Sequence, residues 1–154
     1  MIAVLQRVHR AAVSVDGEIC GRCDKGLVIL LGVGVDDCEE DARLLAEKIA
    51  NLRIFSDENG KMNLSGISVS AEALVISNFT LHANYSHGHR PDYLAAARPE
   101  LAEPLYRRFT ELLREKLPSV ETGIFGADMK VDLEADGPVT IVMDSSVLRR
   151  GRGK

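Results

Sequence analysis

Between Leu27 and Val33 the chain reads Leu-Val-Ile-Leu-Leu-Gly-Val, with no polar side chain at all. A strand built from that run must bury both of its faces. Two amphipathic helices are available to cover one of them. The first starts at Asp36 and Asp37, which supply an N-cap and negative charge, and runs through about Asn51. Its Ala42, Leu45, Ala46, Ile49 and Ala50 fall on one face at three- and four-residue spacing. The second runs from about Pro99 to Leu117, with Leu101, Leu105, Phe109, Leu112 and Leu113 inward and charges of alternating sign outward. Two helices of this length cover only one face of a large sheet system, so strands must cover the other. The expected fold is α/β: a single layered β/β/α domain in which two long helices cover a β-rich core.

The remaining strands fit that scheme. Ala3 to Val8 alternates loosely, and Ala11–Val15 and Glu18–Cys23 flank the hairpin signal Asp16-Gly17. A strand follows from about Glu72 to Leu81. His82 to Asp92 is a polar loop in which Arg90-Pro91 blocks smooth helix entry, and Asp92 is expected to cap a short helix. Three further strands are expected at Ser119–Ile124, Asp128–Leu133 and Val139–Met143. No internal repeat or interdomain linker interrupts the chain. Residues 1–145 therefore read as the domain and 146–154 as a basic, flexible tail, either solvated or in contact with a nucleic-acid backbone.

Composition narrows the function classes. The chain has 154 residues, 45% hydrophobic and 27% charged, which is ordinary for a globular domain that stays in water. No apolar stretch reaches the ~18 residues of a membrane span, and no basic segment precedes the first apolar residues as in a signal peptide. An odd count of three cysteines fits a reduced, cytoplasmic setting. Net charge is −4, so non-specific nucleic-acid binding is not the expected main activity. A ligand held chiefly by one terminal nucleotide remains compatible with it.

Two short motifs about sixty residues apart carry the chemistry. Ala73-Leu74-Val75-Ile76 reads as a buried strand, and Ser77-Asn78-Phe79-Thr80-Leu81 closes it. Polar side chains and freed backbone N–H groups are thus left at a strand end, where a ligand can meet them. Asp136-Gly137-Pro138-Val139-Thr140 places Gly-Pro, a backbone-shape device, directly before another strand. Read alone, Thr80 is a β-branched residue filling a sheet and Gly137-Pro138 is an ordinary turn.

Together these motifs resemble the two signature segments of the D-aminoacyl-tRNA deacylases. The resemblance extends through Gln6-Arg7-Val8, Val13 to Gly17, Gly26 to Gly34, Asn51 to Phe55, Gly60 to Ser65 and Gly123 to Met129. It implies a homodimeric, cofactor-free and metal-free esterase that removes D-amino acids from tRNA. Ser77, Phe79 and Thr80 would line the ester pocket with Asn78 beside them, and Phe125 and Met129 would lie near the terminal adenosine. Gly137 and Pro138, cis in the family, would enter the partner subunit's site as the chiral selector, a steric filter through which glycine leaks. An aminoacyl ester is already activated, so backbone N–H groups around Phe79 and Thr80, with the ribose 2′-OH, suffice and no covalent intermediate is required.

Two positions depart from the family pattern. Asn78 stands where glutamine is usual, an amide arm one methylene shorter. Ala135 stands where asparagine is usual. Two rival readings accompany the main one: a paralogous deacylase editing a misacylated L-amino acid, and a non-catalytic RNA-binding dimer. Cys20-Gly21-Arg22-Cys23 is a lone C-x-x-C on a strand, whose side chains point to opposite faces. It lacks the second pair that a structural zinc site needs.

Overall fold

A computed structural model describes residues 1–151. Its elements are β1 (Ile2–Val15), β2 (Glu18–Cys23), β3 (Gly26–Gly32), α1 (Glu39–Asn51), β4 (Phe55–Ser56), β5 (Met62–Leu64), β6 (Glu72–Ser77), α2 (Pro99–Arg114), β7 (Val120–Thr122), β8 (Lys130–Asp144) and α3 (Ser145–Arg150). A 3-10 turn, Phe79–His82, follows β6. β1 organises the sheet. Its first half pairs antiparallel with β3 and its second half with β2, while β8 runs antiparallel along the other edge of both halves. β6 is parallel to β3, and β7 is parallel to β6.

The doubly buried run behaves as its composition demands. Leu27, Ile29 and Leu31 join Leu45, Ile49, Phe109 and Leu113 in a core beneath the helices. Val28 faces the other way and joins Val8, Val13, Leu74 and Ile76, with Leu30 packed against them, in a second core between strands. The two cores are the physical content of the β/β/α layering. Truncating a fully buried side chain such as Phe109 to alanine is expected to cost about 3–5 kcal/mol.

Four local expectations are corrected. Helix α1 is capped by Cys38, not by Asp36 or Asp37; Asp41 reaches back to accept from the Cys38 N–H at 2.8 Å. Asp37 is drawn elsewhere, accepting from the Gly34 N–H at 2.6 Å and pairing with the Met1 ammonium. No helix follows Asp92, whose carboxylate accepts from Asn84 at 3.0 Å and the Leu94 N–H at 3.1 Å, holding the chain in a turn. The β6 strand ends at Ser77, because Asn78 starts the 3-10 turn. The two expected strands at 128–133 and 139–143 belong to one strand, β8, which follows β1 past Gly137-Pro138.

Of the basic segment 146–154, residues up to Arg150 lie in α3, and 152–154 fall outside the described residues. Asp144 caps α3 by accepting from the Ser146 N–H at 2.8 Å, and Arg149 meets the buried Asp41 carboxylate with two nitrogens. Burial alone would raise the Asp41 carboxyl. Hydrogen bonds from Arg149, Ser145 and Cys38 outweigh it and hold the group down at about 2. No helix among the described residues is long and apolar enough to cross a membrane.

Candidate active site

The end of β6 is fixed by backbone before any side chain acts. The Asn78 N–H donates to the Leu31 carbonyl at 2.8 Å, which extends the pairing to β3 by one residue. The following turn then lies against the end of β3. It can do so because Gly32 has no Cβ, which would stand 2.9 Å from the Asn78 carbonyl oxygen and 3.0 Å from Leu81 Cβ.

Asn78 explains much of the turn's shape. Its Oδ1 accepts from the Thr80 N–H at 3.2 Å and from the Thr80 hydroxyl at 2.5 Å, so one short amide caps the turn and fixes the Thr80 side chain. The short amide of Asn78 thus gives this position a capping role in the turn. Of the two N–H groups considered as oxyanion donors, that of Thr80 is thus engaged within the turn. That of Phe79 is a first-turn donor with no acceptor inside its own helix.

A cavity of about 560 Å³ opens beside this turn. Ser77, Asn78 and Phe79 form one wall, Tyr93 and the start of α2 another, and Phe125 and Met129 close the far end. Phe79 is 58% exposed and meets Tyr93 edge-on, with ring centroids 5.1 Å apart. Tyr106 on α2 closes the floor. Its hydroxyl donates to the Val75 carbonyl at 2.8 Å, and its ring lies 5.7 Å from that of Phe125. Burial pushes its phenol up to about 12, so the floor stays neutral at physiological pH. Five of the sequence-derived site residues, Ser77, Asn78, Phe79, Phe125 and Met129, therefore meet in one cavity. Thr80 is exposed at the turn and is not one of its walls.

Gly137 and Pro138 do not join them within the chain. Gln6 pairs with Thr140 and Val8 with Ala135, so Arg7 alone stands opposite the four residues Asp136 to Val139. The bulge projects from the sheet; the Gly137-Pro138 bond is cis, and both residues are exposed. Ser77 is level with Leu31 and Ala3 in the sheet register, four residues from Arg7, which is roughly 13 Å along the strand. Gly137 has φ +129°, and a Cβ there would lie 2.8 Å from the Val139 nitrogen.

Arg7 is the residue that sequence reasoning passed over as a mere family match. It is only 8% exposed. Its Nη1 donates to the Ile54 carbonyl at 2.6 Å, and its Nε lies 3.0 Å from Asp136 Oδ2 and 3.3 Å from the Asp136 carbonyl oxygen. One buried cation thus holds the base of the bulge. The available signal was its inward position in the alternation Ala3, Leu5, Arg7. Ala135, by contrast, sits exposed in the ladder opposite Val8 and braces nothing with its methyl group.

The cysteine pair splits as strand geometry requires, with Cys20 exposed and Cys23 buried. Burial, with the nearby Glu72 carboxylate adding to it, pushes the Cys23 thiol up to about 12, which makes it a poor nucleophile.

The family model described as D-Tyr-tRNA(Tyr) deacylase matches residues 4–144. The D-aminoacyl-tRNA deacylase of Fervidobacterium nodosum is 56% identical over 145 residues, covering 94% of this chain and 97% of its own. That of Persephonella marina is 56% identical over 148 residues, covering 96% and 100%. Among solved structures, the c-Myc DNA unwinding element binding protein superposes with a TM-score of 0.88 at 39% identity, covering 94% of this chain and 98% of its own. The strand-end cavity and the Arg7-braced bulge thus occur in a chain matched along almost its whole length, and the chain belongs to the D-Tyr-tRNA(Tyr) deacylase family.

Proposed function

We propose that this protein hydrolyses the ester bond of D-aminoacyl-tRNA in the cavity beside Ser77–Phe79, and that it does so as a cytoplasmic homodimer. Gly137 and Pro138 of one copy complete the cavity of the other. The observation that carries this reading is a mismatch of parts. The cavity is lined in part by an exposed aromatic ring, Phe79, while Gly137 and Pro138 stand exposed and outside the β1–β8 ladder in another part of the same chain. A second copy supplies what one chain cannot.

In this reading the terminal adenosine rests against Phe125 and Met129, and the ester carbonyl lies at Ser77–Phe79. A water oxygen attacks the carbonyl carbon, and the carbonyl electron pair moves onto oxygen. The Phe79 N–H donates to that oxyanion, a contribution of about 3 kcal/mol by analogy with other oxyanion donors. Collapse breaks the bond to the ribose 3′ oxygen. The proton released by the attacking water passes to that oxygen through the neighbouring 2′-OH. Free D-amino acid and tRNA leave, and no protein–substrate bond forms. The Thr80 hydroxyl already donates to Asn78, which suits a positioning role.

Selectivity follows from the imported wall. Gly137 and Pro138 lie outside the strand ladder, so their carbonyl oxygens are available to accept from the substrate α-ammonium. With the ammonium held there, an L side chain would run into the backbone, whereas a D side chain points away. Glycine has nothing to exclude and passes the filter.

The test is deacylation of matched D-Tyr-tRNA and L-Tyr-tRNA by the purified protein with a chelator present. Rapid loss of the D ester alone supports the reading. Equal attack on both, or on neither, overturns it.

A further inference from the structure

If the cavity takes the terminal aminoacyl-nucleotide, as in the proposed function, the rest of the tRNA leaves it past its rim. One segment of the rim differs from the rest of this acidic chain. From Asn84 to Arg98 there are two arginines, Arg90 and Arg98, two histidines, His87 and His89, and a single acidic residue, Asp92. The Asp92 carboxylate is already occupied by Asn84 and the Leu94 N–H. Neither arginine meets a carboxylate among the described residues, whereas Arg107 and Arg108 on the outer face of α2 are both paired.

Residues 84–92 form a loop closed at its neck. Asn84 and Asp92 exchange backbone hydrogen bonds at 2.8 and 3.0 Å, and their side chains bond across the same gap. Both stems lead into cavity walls: one descends to the turn carrying Phe79, the other continues into Tyr93. The neck therefore fixes the loop at the mouth. Beyond it Tyr85 is 82% exposed, a large aromatic ring with no protein surface covering it.

We propose that this loop, with Arg98 at the start of α2, holds the unpaired nucleotides immediately preceding the terminal adenosine of tRNA, with Tyr85 stacking on a base and Arg90 and Arg98 contacting phosphates. Stacking on an aromatic face tolerates any base, and arginines neutralise the backbone; together they form the ordinary surface for single-stranded RNA. The location beside the mouth, the unpaired cations and the uncovered ring select RNA over a protein partner. The inference rests on the deacylase reading for the direction in which the strand leaves the cavity.

The experiment compares binding of adenosine 5′-monophosphate and the single-stranded RNA tetranucleotide ACCA to the full chain, across a series of salt concentrations. The tetranucleotide is expected to bind at least about tenfold more tightly, and Tyr85→Ala to remove about tenfold of that affinity. Arg90→Ala is expected to lower the slope of log affinity against log salt by about 0.7, the value for one phosphate on a single strand, and Arg90→Lys to restore it. Adenosine 5′-monophosphate binding should be the same in all variants. Equal affinity for the two ligands, or a tetranucleotide affinity and salt slope indifferent to both Tyr85 and Arg90, overturns the proposal. Deacylation of D-Tyr-tRNA by the same wild-type preparation is read separately. Loop-dependent RNA binding without deacylation would sink the deacylase reading and leave the surface, and deacylation with loop-independent binding would do the reverse.

Discussion

The cavity at the end of β6 and the bulge on β8 are built on opposite plans. The cavity is made from the core's own materials: a strand buried on both faces, a turn capped by Asn78 and a floor tied by Tyr106 to the Val75 carbonyl. The bulge is an interruption of pairing on a sheet edge, exposed and held from beneath by one buried arginine. The first plan fixes side chains inside a single chain. The second displays backbone outward, where it can act only on another molecule. In the proposed function position and selectivity are thereby separated, and each can be damaged without the other.

The largest effect is expected at Arg7. Arg7→Leu leaves the Ile54 carbonyl and Asp136 without their cation, and should cost about 3 kcal/mol of unfolding free energy in a urea titration, with activity lost alongside. Gly137→Ala tests the bulge with less harm to the fold. A Cβ there is crowded by Val139 at φ +129°, so hydrolysis of the D ester should fall about a hundredfold and the D/L ratio should shift, with the unfolding midpoint lowered by less than in Arg7→Leu. An unaltered D/L ratio in that variant would end the selector role. On the cavity side the effects are smaller and blind to chirality. Asn78→Ala frees the Thr80 N–H and hydroxyl, at a cost of about 1 kcal/mol in stability, and slows both esters alike. Thr80→Ala should keep hydrolysis within about tenfold of wild type, since Phe79 N–H and the 2′-OH remain. Complete loss with the cavity intact would give the Thr80 hydroxyl a direct role in the reaction.

The smallest effect on activity lies outside both regions and serves as a control. Asp41 is held at about 2, below its ordinary 3.8, so its ionised form favours the folded state. That contribution is fully present above about pH 4 and is lost as pH falls from 4 towards 2. Arg149→Ala should flatten this acid limb of a stability profile while leaving deacylation at neutral pH unchanged.

The fold was largely legible. The apolar run at Leu27–Val33 required cover on both faces, and the Asp16-Gly17 signal is a turn with φ of 52° and 85°. What escaped depended on competition between partners. Asp36 and Asp37 have the right chemistry for a cap, but Asp37 is taken by the chain's first residue and the cap falls to Cys38. Gly-Pro looked like a break between two strands because a sequence does not reveal that β1 continues alongside to carry the strand past it. The same holds for the site. Ser77, Asn78 and Phe79 were readable together because a strand end gathers neighbours, and Phe125 and Met129 only through the family resemblance. Arg7 was not, because its acceptors come from positions 54 and 136.

The outward-facing bulge also has a genetic consequence. In the proposed homodimer wall and cavity come from different copies, so a chain defective only in Gly137 still owns a sound cavity, and a chain defective only in its cavity still owns a sound wall. Mixed at random in equal amounts, two such inactive proteins would form heterodimers with one repaired site each, restoring about a quarter of the full number of working sites. Two defective alleles of this gene would then complement one another in a single cell, which two lesions in the cavity alone never would.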